Sequence, residues 1–92
     1  MAMATVRENL IAARALIDTP EKWRHGSELA TTRRRTILSA LDEVTSDQAT
    51  FEALTAQSPR GGLVFFNKAP GTTHSDIMAL FDRAIGAQGD PA

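Results

Sequence analysis

"FFNKAPGTTHSDIMALFDRAI", residues 65–85, is the stretch on which the fold turns. Its second half reads as a helix with a marked start. Thr73-His-Ser-Asp76 places a hydroxyl at the N-cap and a carboxylate three residues on, the reciprocal pattern of a capping box. Ile77, Met78, Leu80, Phe81, Ala84 and Ile85 then recur at helical spacing and form a wide apolar face. Gly86 is the expected stop. The first half joins "LVFF" to Asn67, Lys68 and a Pro-Gly corner. β-Propensity favours a strand for "LVFF", but a lone strand has no partner in this chain. A short helical turn after Ser58 and Pro59 is therefore expected, which makes the whole chain helical.

The rest of the chain agrees. Thr5-Val-Arg-Glu8 is a second capping box, followed by Val6, Leu10, Ala13 and Ile17 at helical spacing, with Ile11 and Leu16 widening the stripe. Arg7, Glu8, Asn9 and Arg14 are expected to face elsewhere. This first helix spans about 6–17 and ends before Pro20, which pushes its predecessor out of the helical region. Pro20 opens a short turn that ends near Trp23. A second helix runs through "RRRTILSALDEV", with Ile37, Leu38, Leu41 and Val44 inside. Arg33, Arg34 and Arg35 in its first turn would oppose the helix dipole, so a start near Ser27 or Glu28 is expected, with the arginines mid-helix. Thr45-Ser-Asp-Gln48 caps a third helix carrying Phe51 and Leu54 to about Gln57. The sum is an all-α single domain, residues 1–92, of four to five short helices with residues 86–92 as a frayed tail.

Composition narrows the function. The chain has 92 residues, enough for one modest core. Ten basic and eleven acidic residues nearly cancel, so neither general nucleic-acid affinity nor acidic mimicry follows from charge. The absence of Cys removes thiolate nucleophiles and Cys-based zinc sites. Two His leave little for a metal site, and no metal or other cofactor is expected. No apolar run is long enough to span a bilayer, and "MAMATVREN" lacks the apolar region of a secretory signal, so a cytoplasmic location is expected.

By Asp18-Thr-Pro20-Glu-Lys-Trp23-Arg-His-Gly26, Phe66-Asn67-Lys68, Pro70, Thr73-His74 and Phe81-Asp-Arg-Ala-Ile85, the chain resembles an uncharacterised family of small bacterial and phage domains, a domain of unknown function. Members show Asp-Pro-x-x-Trp-x-x-Gly, then Trp-Asn-Asp, a Pro loop, Thr-His and Phe-Asp-Arg-Ala-Ile. The resemblance covers both ends and is most specific in the last third. It implies an all-α fold and a phage or mobile-element context, and no activity. Two departures stand out. Lys68 replaces the family's Asp, and the Cys that members often carry in the middle helix corresponds to a slot near Thr36.

Three functions compete. The leading expectation is a non-catalytic protein-binding module, in concrete form a phage- or mobile-element-encoded inhibitor of a host complex, such as an anti-CRISPR. Its partner-binding residues would be Arg33, Arg34 and Arg35, with Lys22, Arg24, Asn67, Lys68 and His74. The second is a nucleic-acid-binding module that lays the Arg33–Arg35 run on phosphates. The third is a small or degenerate enzyme using His74 oriented by Asn67, with Thr36 or Ser39 as nucleophile. Against it, Thr73-His74 reads as a helix start, and Asn67 as a tie for the Pro-Gly loop. Trp23, the only Trp, is expected at the edge of the core.

Overall fold

The structure is a computed structural model that describes residues 4–23, 35–58 and 62–88. Within them lie five α-helices: α1 (Val6–Leu16), α2 (Ile37–Val44), α3 (Gln48–Thr55), α4 (Gly62–Lys68) and α5 (His74–Ala87). A single turn of 3₁₀ helix, Pro20–Lys22, follows α1. No strand occurs among the described residues, so the fold is all-α. "LVFF" is helical.

Helix α1 is the centre of the packing. It lies against α2, α3 and α5, while α4 sits on α2 and α3. The starts of α1 and α5 are built from their own sequence. Thr5 accepts from the Glu8 N–H at 3.1 Å and Glu8 returns to the Thr5 N–H at 2.9 Å. Thr73 and Asp76 repeat the exchange at 3.2 and 3.0 Å. These reciprocal bonds satisfy donors that a helix start otherwise leaves unpaired. The core is Leu10, Ala13 and Ile17 from the first segment, Ile37, Ala40 and Leu41 from α2, Leu54 and Leu63, and Ile77, Leu80, Phe81 and Ala84 from α5. Trp23 closes it, 8% exposed.

Several expectations are corrected. Helix α2 begins at Ile37, not upstream of the arginines, because Thr36 caps it. Its hydroxyl accepts from the Ser39 N–H at 3.1 Å, and Ser39 Oγ accepts from the Thr36 N–H at 2.8 Å. Arg35 stands outside the helix in an isolated parallel bridge with Trp23, its N–H donating to the Lys22 carbonyl at 2.8 Å. A cation is thereby kept out of the first turn, where it would meet the positive end of the dipole. Ser27, Glu28, Arg33 and Arg34 lie outside the described residues.

Thr45 ends α2 instead of opening α3. The cap of α3 is Asp47, which accepts from the Ala49 N–H at 3.2 Å. Ser58 does not cap α4; its hydroxyl donates back to the Thr55 carbonyl at the end of α3. Helix α4 instead opens at Gly62, whose φ of +80° is a conformation that residues with a Cβ rarely adopt. Gly86 does not stop α5, which continues through it to Ala87. The tail expected from residue 86 is therefore helical at its start, and residues 89–92 lie outside the described residues. On α1, Ile11 is exposed and Asn9 is buried, the reverse of the expected stripe. Asn9 is accommodated because its amide donates to the buried Thr50 hydroxyl of α3 at 3.1 Å.

Candidate functional site

The motif residues meet at one place. The Pro20–Lys22 turn carries the chain from α1 to Trp23, whose indole N–H donates to Asn67 Oδ1 at 2.8 Å. Asn67 is on the inner side of α4 and 2% exposed. The same oxygen accepts the backbone N–H of Ile37 at 3.1 Å. Ile37 is the first residue of α2, so its N–H has no partner within its own helix. Asn67 therefore caps α2 from thirty residues away while holding the only indole in the chain.

His74 also stands beside Trp23. Their ring centroids are 6.1 Å apart at an interplanar angle of 49°. His74 Nε2 lies 2.7 Å from the carbonyl of Ile17, the residue that ends α1. A carbonyl only accepts, so Nε2 carries the proton. The half-buried His74 thus fastens the start of α5 to the end of α1.

This arrangement corrects two readings. The sequence places Asn67 either on a partner-binding surface or as a tie for the Pro-Gly loop. It is instead buried, and joins α4 to Trp23 and α2. His74 belongs to the same cluster, with one ring nitrogen committed to a backbone carbonyl. Thr36 and Ser39, the nominated nucleophiles, both spend their hydroxyls on the cap of α2. The structure does bring Asn67 and His74 to one indole, but through bonds that build the fold.

The basic residues divide similarly. Lys22 pairs with Asp18, four residues before it, at 3.1 Å. Arg35 grips Glu43 with two nitrogens, Nη2 to Oε1 at 3.0 Å and Nε against the second oxygen. The hydrogen bond from Arg35 holds the Glu43 carboxyl below its ordinary range and raises the guanidinium in turn. Arg14 of α1 reaches Asp82 of α5 at 2.9 Å. Lys68 is exposed at the end of α4 and pairs with no carboxylate among the described residues. Arg24, Arg33 and Arg34 lie outside the described residues.

Sequence reasoning missed one surface feature. Val64 and Phe65, on the outer side of α4, are 45% and 54% exposed. The signal was present: "GLVFFNK" is apolar around most of its circumference, and a short helix so composed needs cover on both sides. Among the described residues no group of three or more His, Asp or Glu side chains is placed to hold a metal. No described helix is long and apolar enough to cross a membrane.

An all-helical domain knotted at Trp23, Asn67 and His74 is thus the class of protein that fold and cluster define. The chain belongs to DUF6197, a family of unknown function, whose model matches residues 1–87. No curated protein and no solved structure matches the chain.

Proposed function

We propose that this chain is a non-catalytic protein-binding module. The observation that carries the reading is the outer face of α4. Val64 and Phe65 are two large apolar side chains, both turned to solvent beside Lys68; among the described residues Ile11 is the one other large apolar group so exposed. Neighbouring exposed apolar groups rimmed by charge are characteristic of interaction sites. The groups nominated for chemistry support the same reading. The Asn67 oxygen, the His74 Nε2 and the Thr36 hydroxyl are each occupied by a partner within the fold, and no described hydroxyl is hydrogen-bonded to His74 as a base-activated nucleophile would be.

The test is a pull-down with immobilised wild-type domain, F65E, and the triple reversal of Arg33, Arg34 and Arg35 to Glu. Proteins held by the wild type and lost by F65E support the reading; an unchanged set with F65E refutes α4 as the surface. Loss with the triple reversal alone would return the contact to the arginine run. The narrower form, an inhibitor encoded by a phage or mobile element, adds that the captured complex loses activity when the domain binds. The nucleic-acid alternative is read in a gel shift at low salt, where phosphate contacts are strongest.

A further inference from the structure

Helix α4 divides cleanly into two faces. Leu63 and Asn67, four residues apart, are buried, with Phe66 half-buried beside them. Val64, Phe65 and Lys68, at spacings of three and four, share the outer face. Helix α4 contains no carboxylate. Elsewhere Arg14, Lys22 and Arg35 each hold an acid within the fold, whereas Lys68 holds none among the described residues.

We infer that this face docks a segment of a partner protein in which apolar side chains are flanked by a carboxylate. The inference rests on the binding-module reading and specifies the partner's chemistry. Phe65 and Val64 supply the apolar contact, and Lys68 at the rim takes the acid. A second copy of this chain fits poorly as the occupant. Two α4 faces meeting across a two-fold axis present lysine and apolar groups to each other and no counter-ion from either helix. The footprint of two apolar side chains and one cation also suits a short segment, because a stable interface between folded proteins takes about 20–30 residues a side.

The probe is a random peptide library displayed on phage and panned on the whole domain. Selected peptides are then synthesised and titrated while backbone amide shifts are followed. The expected peptides combine aromatic or aliphatic residues with Asp or Glu, and their shifts centre on residues 62–68. F65A weakens binding more than about tenfold, as for a central apolar contact. K68A weakens it about threefold at low salt, as for an exposed ion pair, and the difference disappears at high salt. Both side chains are exposed, so both variants keep the wild-type unfolding temperature. Peptides that bind α4 without an acid, or that ignore K68A, overturn the carboxylate while leaving the module reading intact. Peptides that shift other residues and ignore F65A overturn the α4 surface. Concentration-dependent self-association with shifts at α4 and no selected peptide replaces the partner with a second copy and overturns the inference.

Discussion

Replacing Asn67 with Ala strips two donors of their shared acceptor. The Trp23 indole N–H and the Ile37 backbone N–H both point at Asn67 Oδ1, at 2.8 and 3.1 Å, and both bonds are buried. A buried donor left without a partner costs about 1–3 kcal/mol. Two of them, with the space vacated by the amide, bring the expected loss to about 3–5 kcal/mol. A domain of this length has roughly 5–14 kcal/mol in total, so the variant sits near the edge of folding. Urea unfolding measures it, with Trp23 fluorescence as a reporter inside the cluster. At a slope of about 1–1.5 kcal/mol per molar, the midpoint falls by about 2 M or more. Trp23→Phe removes one of the donors, so a cycle followed by circular dichroism isolates the pair. With Trp23→Phe already in place, the Asn67→Ala loss shrinks by about 1–2 kcal/mol, as expected for contacting residues. A loss below about 1 kcal/mol for Asn67→Ala, or strict additivity with Trp23→Phe, would refute the role of Asn67 as the joint between α4, Trp23 and α2.

Three further outcomes follow from the helix starts and the core. Thr73→Ala removes the hydroxyl that accepts from the Asp76 N–H and costs about 1 kcal/mol. That lowers the unfolding temperature by about 4–8 °C, while Thr73→Ser stays near the wild type. Phe81→Ala empties a site of 0% exposure and costs about 3–5 kcal/mol in the same urea titration. Glu8 and Glu43 are both held below the ordinary carboxyl value of 4.5, Glu8 first by the Thr5 backbone N–H and Glu43 first by the Arg35 side chain. The unfolded chain therefore binds more protons near that value than the folded one. The contribution of both groups is present above pH 4.5 and is lost as pH falls through their folded values. The double variant E8Q/E43Q should flatten the acid limb of the stability curve; an unchanged slope would remove these two groups from the explanation.

What was legible in the sequence was local. The Thr5–Glu8 and Thr73–Asp76 boxes each needed only four residues, and the apolar spacing that follows them marked α1 and α5 to within two residues. The start of α2 was legible in principle, because Thr36 and Ser39 have the same spacing. Ser in place of Glu or Gln at the third position weakens the pattern. Repulsion between the arginines and the helix dipole argues against a start just before them, and it leaves two remedies. The helix takes the one the sequence does not announce, starting after Arg35 instead of well before it. Beside the Thr36–Ser39 cap, the bond from Arg35 to Lys22 and the bond from Ile37 to Asn67 hold that start, and neither has a local signature. Asn9 is hidden for the same reason. A polar side chain on an apolar stripe reads as exposed unless its partner is known, and its partner is Thr50, forty-one residues away.

The position of Asn67 bears on why so small a core contains a polar residue at all. Four segments end within reach of the cluster: α1 at Ile17, the turn at Trp23, α2 at Ile37 and α5 at His74. Apolar packing alone is non-directional and would tolerate several ways of stacking short helices. A buried amide that must satisfy an indole and a helix start together favours one arrangement, because an alternative that leaves a donor unpaired costs about 1–3 kcal/mol. With α4 fixed by Asn67 on its inner side, the orientation of its outer side is fixed as well. Val64, Phe65 and Lys68 are displayed on a short helix that cannot rotate to bury them without breaking the joint. The residue that joins α4 to Trp23 and α2 therefore also keeps the apolar face of α4 turned outward.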